Sequence, residues 1–574
     1  MSQSPREEGV SVPAMRTIAR CRLGGLAVVT AAALIAVAAA LVACVQPPAA
    51  ASTRAVDASP SSIFSMTTEA SGPFADTFNP FDLSTYSGEI GSLIYEPLYQ
   101  ENYAKLQAVP WLATAYAWSN GGHTITFTIR KGVKWSNGQP MTAADVAFTF
   151  GLEKDFPAAD ISGATIASVS VAGTSQVVVN FTGASYSDLQ GILSTPVVPA
   201  SVWSKVANPV TYEDSDPIGT GPYVLKTYSP EVITVSRNPH YWQPKLAKFP
   251  EVQAVQEDTN ASIEASLDAG TLDWTAVGLE DANTISQRNP NLKLEAAPFV
   301  DAPLIPNVTV YPLNLLAVRQ AINEALDRPA LLKVLAPFKD QPIKNRTGLP
   351  QSSMGQFIAP TYKNDTFTYS PSGAKKLLEG AGFKMGSDGI FTTPKGTPLQ
   401  IQFLIPSTYA NWVSIAPVMQ TELRAAGIGL TVDAISESTW QADLVLGQFQ
   451  LSFDSAQYET PYGFYDFYFG DTDAAKLGKV ALTDYGRFQS AVADQELNTL
   501  NTTEPGSAAA TSALDQLEGI MVNQVPVMPM FVNSQQGIFN TSDVTGFPTA
   551  SNAYAFPSEI NTELIVLHVK QAAH

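Results

Sequence analysis

The chain has 574 residues, with 52 Asp and Glu against 33 Lys and Arg, and a formal net charge of −19. So acidic a chain lacks the clustered basic residues that phosphate backbones require, which excludes nucleic acid as a partner, and charge cannot draw it to an anionic membrane. It has only 2 Cys and 4 His, too few for iron–sulfur clusters, Cys-type zinc sites or a multi-histidine metal centre.

Along the chain, Arg16, Arg20 and Arg22 precede an uncharged apolar run from Leu23 to Ala43. A basic segment followed by an apolar one and small residues is the pattern of an export signal. Leu41-Val42-Ala43-Cys44 resembles the lipobox of bacterial lipoproteins, in which Cys44 would be lipidated after cleavage and anchor the protein to the outer face of the cell membrane. Met15 suits such a signal as a start better than Met1, because Glu7 and Glu8 lie between them. The competing reading is an uncleaved spanning helix, since about 20 apolar residues cross a bilayer. Either way, the rest of the chain lies outside the cytoplasm. Residues 44–62, rich in Ala, Pro and Ser, read as a lipidated N-terminus and flexible tether. With Cys21 removed and Cys44 lipidated, the exported body keeps no thiol.

Asn79-Pro80-Phe81 and Tyr95-Glu96-Pro97 frame a short helical or extended segment. Thr124 to Arg130 then alternates, with Ile125, Phe127 and Ile129 on one face, as a half-buried strand requires. Lys131-Gly132 turns the chain, Val133-Lys134-Trp135 returns, and Ser136-Asn137-Gly138 makes a second turn. Thr142-x-x-Asp145 predicts a capped helix start. Ala143, Val146, Ala147 and Phe150 give that helix one apolar face. A strand is predicted over Val232–Ser236, followed by the proline-led turn Arg237-Asn238-Pro239-His240-Tyr241-Trp242. A second unit opens near Val308. Its first helix carries Val318, Ala321, Ile322, Ala325 and Leu326 and stops before Pro329. Ser370-Pro371 starts another helix, which Gly382 ends. Leu399–Ile405, a helix over Trp412–Ala426 and Ile428–Val432 predict a βαβ unit with parallel strands. The spacing of Tyr465, Phe467 and Phe469 predicts a strand with one core face. Two separated blocks of alternating strands and helices read as two α/β lobes.

The chemistry of hydrolases and nucleotide-binding enzymes finds no motif. G-x-S-x-G, H-E-x-x-H and the phosphate-binding G-x-x-x-x-G-K-[ST] are all missing. Gly219-Thr220-Gly221 lacks a dinucleotide loop's third glycine.

Several stretches resemble extracellular solute-binding protein family 5, the oligopeptide- and dipeptide-binding proteins of bacterial ABC importers. They are Val109-Pro110-Trp111-Leu112-Ala113, Trp118, the unbroken run from Phe127 to Val146, Pro217-Ile218-Gly219-Thr220-Gly221-Pro222-Tyr223, and Arg237 to Trp242. Leu267-x-x-Gly270-x-Leu272-Asp273, Val318-Arg319-Gln320-Ala321-Ile322 and Pro526-Val527-Met528-Pro529 follow in the family's order. The resemblance implies a periplasmic-binding-protein-like α/β fold, with two hinged lobes and an extra subdomain in the first. Signal 1–43 and tether 44–62 would precede lobe I at 63–99, its extra subdomain at 100–216 and more of lobe I at 217–307. Lobe II would run over 308–531, with 532–574 returning to lobe I. It implies a monomeric, non-enzymatic protein without cofactor or bound metal, closing around a peptide and handing it to permease and ATPase subunits. An oligosaccharide is the rival ligand, and nickel is disfavoured by the scarcity of histidine. A secreted hydrolase and a sensory partner of a membrane receptor are the readings from other classes.

In peptide-binding relatives an aspartate and an aromatic residue meet the ligand's α-amino group at a position that aligns with Phe453–Tyr465. A carboxylate in a closed cleft is a natural partner for an ammonium. Aligning Tyr458 and Pro461 places Gln457 where the aspartate is expected, and Glu459 and Asp454 are the nearby acids that could substitute. Tyr462 belongs to the same aromatic cluster. Tyr409 and Trp412 fall at a strand-to-helix junction, the edge where α/β sheets bind ligands. Phe81 and Thr77 are first-lobe candidates by family position. Trp118 and Trp135 read as structural.

Overall fold

The computed structural model describes residues 63–67, 73–82, 88–103, 105–279, 282–454, 460–470 and 476–573. Signal, tether and Cys44 lie outside this set. Among the described residues no helix is long and apolar enough to cross a membrane.

The chain folds as two mixed α/β lobes strung along one large sheet. In the first lobe, Tyr223–Tyr228, Val232–Arg237 and Glu251–Val255 form an antiparallel meander. Glu251–Val255 then pairs in parallel with Ile63–Thr67, which meets Trp274–Thr275. Alternation decides which faces are buried: Ile233 and Val235 reach the core from one side of their strand, with Val252 and Ala254 on the paired one. A separate four-stranded sheet, ordered Ala113–Ser119, Thr124–Ile129, Gln176–Phe181, Ile166–Ala172, lies within the stretch expected as an extra subdomain. Ile125, Phe127 and Ile129 are buried against the helix Ala143–Asp155, as their alternation predicts. That helix starts where its box requires. Thr142 Oγ1 accepts from Ala144 N at 3.2 Å, and Asp145 Oδ2 accepts from Thr142 N at 2.9 Å. Val133–Trp135 does return, but onto its own turn rather than the preceding strand: Met141 N donates to Val133 O at 3.0 Å and Trp135 N to Gln139 O at 2.8 Å. Gly138, at φ +83°, allows the tight reversal.

The second lobe contains the predicted βαβ unit. Gln400–Pro406 runs parallel to Gly429–Ile435, and the helix Ala410–Ala425 makes the crossover. Ser370 caps the helix Pro371–Gly380, its hydroxyl accepting from Gly373 N at 3.0 Å. One strand prediction fails. Tyr465, Phe467 and Phe469 lie in a helix, Pro461–Phe469, not in a strand. Thr460 accepts from Gly463 N at 3.1 Å and Pro461 occupies the first turn, so start signals override the period-2 aromatic spacing. Phe469 is buried as expected, whereas Phe467 is only half-buried.

Two long strands join the halves. Leu292–Pro306 and Met528–Asn540 pair antiparallel from Leu292↔Asn540 to Leu304↔Met528, with a register shift between Pro298 and Val300 and another between Ala302 and Leu304. At one end Phe539 packs into the first core, and at the other Ala302, Leu304 and Phe531 pack into the second.

Candidate functional site

The structure places the sequence candidates in three settings. Gln457, Tyr458 and Glu459 lie outside the described residues. Phe81 is 2% exposed and meets Trp203 edge-on at 5.2 Å in the first core, which makes it a packing residue. Thr77 is also buried, its hydroxyl without a hydrogen-bond partner among the described residues. Trp412 is 1% exposed among Tyr409, Trp440 and Phe453, at 4.9, 5.9 and 5.3 Å between ring centroids. It therefore supports the strand-to-helix junction from beneath, and the indole's area burial dominates its role. Trp135 is buried, and Trp118 stacks obliquely on Phe181 and Tyr186.

Above Trp412, half-buried Tyr409 donates its hydroxyl to Glu437 Oε1 at 3.0 Å. Burial first, and then Glu437, push the Tyr409 phenol up to about 12, so it stays a neutral donor. Asp454 is buried at the end of the strand Leu451–Phe453, its amide donating to Pro303 O at 3.4 Å. That contact ties it to the crossing strand Leu292–Pro306, where Asp301 lies two residues away. Asp301 is 5% exposed, and burial is the sole cause lifting its carboxyl well above the ordinary carboxylate range. Nothing in the run Val300-Asp301-Ala302 marks this acid in the sequence, because strand crossing alone buries it.

Tyr462 has a different neighbourhood. It stands in the first turn of the helix Pro461–Phe469 and lines a cavity of about 400 Å³. Tyr186 and Ser187 face this cavity from the extra subdomain, while Ile358, Leu500, Ala510 and Leu514 face it from the second lobe. A concave, mostly apolar cavity of a few hundred Å³ is the usual form of a small-molecule site. The halves touch at its margin, where Ser187 Oγ donates to Asn501 Oδ1. One wall, 356–360, is fixed from behind by Glu518. Both Glu518 oxygens accept from Ala359 N, at 3.1 and 3.0 Å, and burial raises that carboxyl to about 7. Tyr186 and Leu500 were not legible as site residues: each is an ordinary aromatic or apolar position until the lobes are brought together.

Among the described residues no three His, Cys, Asp or Glu side chains group as metal ligands do. His568 Nδ1 donates to Leu564 O at 2.7 Å, and its ring stacks on Tyr554 at 4.1 Å.

Comparison with known proteins adds the family. Residues 107–476 match the bacterial extracellular solute-binding proteins, family 5 Middle. The nickel-binding periplasmic protein of Escherichia coli (strain K12) is 28% identical over 376 residues, covering 63% of this chain and 70% of that protein. Glutathione-binding protein GsiB of the same strain is 29% identical over 322 residues, covering 54% of this chain and 60% of GsiB. The crystal structure of a periplasmic oligopeptide-binding protein from Thermotoga maritima superposes with a TM-score of 0.78 at 20% identity, over 89% of this chain and 99% of that one. Its mannohexaose-bound form gives 0.71 at the same identity and coverage.

Proposed function

Because the chain belongs to the family 5 extracellular solute-binding proteins, we propose that it captures oligopeptides between its lobes and delivers them to the permease of an ABC importer. The observation that carries this reading is the cavity lined from both halves, Tyr186 and Ser187 on one side and Tyr462 on the other. The halves are joined by two antiparallel strands. A pair of strands is a joint that bends while the cores on either side remain intact, so a solute held by both lobes favours the closed form over the open one. Affinity then depends on how many contacts only the closed form makes.

In this reading lipidated Cys44 holds the protein at the outer membrane face, the body acts as a monomer, and no chemistry is done on the solute. Glu459 or Asp454, with Tyr458 and Gln457, would receive the ligand's amino group, and Tyr409 would present its hydroxyl at the cleft edge. An oligosaccharide is the second reading, supported by Gln457 in place of an acid and by likeness to a fold-neighbour crystallised with mannohexaose. Thermal unfolding of purified protein separates the two. Short peptides should raise the melting temperature with a concentration dependence that follows mass action. Mass spectrometry of the protein as purified should find peptides. A shift with oligosaccharides and none with peptides would replace the first reading by the second.

A further inference from the structure

The cavity beside Tyr462 has a chemistry that narrows the solute, if it is the transport site argued above. No charged side chain lines it among the described residues. Its polar side chains are largely spent on their own structure. Thr460 Oγ1 accepts from Gly463 N at 3.1 Å, and Thr511 Oγ1 donates to Ser507 O at 2.9 Å. Ser187 Oγ donates to Asn501 Oδ1, with Asp188 Oδ1 3.3 Å away as an alternative acceptor, and the Tyr462 hydroxyl bonds to Asp466. That leaves Gln356 and the Tyr186 hydroxyl as the polar side-chain groups open to the cavity, and most of the remaining wall is carbon: Ile358, Pro360, Pro461, Leu500, Ala510 and Leu514.

We propose that this cavity receives a bulky aliphatic or aromatic side chain of the bound peptide and selects against sugars and metal chelates. A sugar brings a hydroxyl on nearly every carbon, and each one buried without a partner loses its hydrogen bonds to water. A metal chelate brings charge into a wall whose described residues have none to offer. An apolar side chain loses nothing on entry and gains by leaving water, in proportion to the area it buries. The wall is also pre-formed, since Glu518 fixes the 356–360 segment through Ala359 N.

The test uses the purified protein and tripeptides of alanine in which one position, taken in turn, is Leu, Phe, Ser, Asp or Lys, with mannohexaose and nickel–histidine alongside. Titration calorimetry should show Leu or Phe binding at least tenfold more tightly than Ser, Asp or Lys at one position or more. Mannohexaose and nickel–histidine should bind more weakly than the best peptide. Ala510→Leu, which fills part of the cavity, should abolish the preference for Phe while leaving the melting temperature without ligand unchanged. If that variant unfolds, the wild-type panel decides alone. Peptides that bind equally whatever their side chain, a preference untouched in a folded Ala510→Leu, or mannohexaose binding as tightly as the best peptide would each overturn the cavity assignment alone. Binding of none of these solutes would overturn the transport reading, and this inference with it.

Discussion

Burial alone lifts the Asp301 carboxyl far from its ordinary range, because the crossing strand takes it out of water beside no compensating charge among the described residues. The consequence for stability has a definite sign. A carboxyl with a raised folded-state value holds a proton that the unfolded chain gives up, so its contribution is complete at low pH and is lost as pH rises through that raised value. Asp301→Asn removes the titration. Urea unfolding should find the variant more stable than wild type at pH 8, by about 1 kcal/mol or more, with the gap narrowing as pH falls and closing only near the unfolded carboxylate value of about 3.9. Parallel urea midpoints across that range would mean that the carboxyl has found a stabilising partner. Single residues were unevenly legible. Thr142 and Asp145 announced their roles because a capping box is a local bargain between four consecutive residues. Asp301 and Tyr186 acquire theirs from segments far away in sequence, and no local pattern encodes that.

The C-terminal helix Thr562–His568 is attached to the first lobe by a buried pair of acids. Glu563 and Glu96 hydrogen-bond to each other. Glu96 also accepts from Trp111 Nε1 at 2.6 Å and from Trp242 Nε1 at 3.1 Å. Two carboxyls in one dry site cannot both ionise, so one proton is shared. Burial drives the Glu563 carboxyl well above its usual range and Glu96 to about 7, the indole donors holding Glu96 down. The sign again follows from raised values: the attachment is strongest in acid and weakens as pH rises through about 7. Glu563→Gln supplies a permanent neutral amide donor. Its melting temperature should fall less between pH 5 and pH 8 than that of wild type, and an identical fall in both would place the titration elsewhere. Element boundaries followed the sequence wherever capping and periodicity agreed. They departed at Pro461–Phe469, where two signals conflicted and the Thr460 cap with Pro461 outweighed the strand-like aromatic spacing.

Across the whole molecule, the proposed capture of a solute would make the crossing strands and the Ser187–Asn501 contact set the balance between open and closed forms. In that reading the strands would permit rotation of one core against the other, and the contact at the cavity margin is one that opening would break. Ser187→Ala should therefore raise the radius of gyration of the ligand-free protein in small-angle scattering, and weaken ligand binding several-fold by making closure less favourable. A radius and an affinity both equal to wild type would show that Ser187 has no part in closure.

Sequence alone determined the class of molecule: an acidic, thiol-poor chain, two α/β lobes, and the family to which its motifs belong. These are properties of composition, period and local capping, each carried by residues close together in the chain. Only the tertiary structure decided which aromatics became core, that Asp301 is buried, and that Tyr186, Tyr462 and Leu500 share one cavity. Those outcomes depend on residues hundreds of positions apart meeting across two lobes, and the free energy of that meeting is written in no single segment.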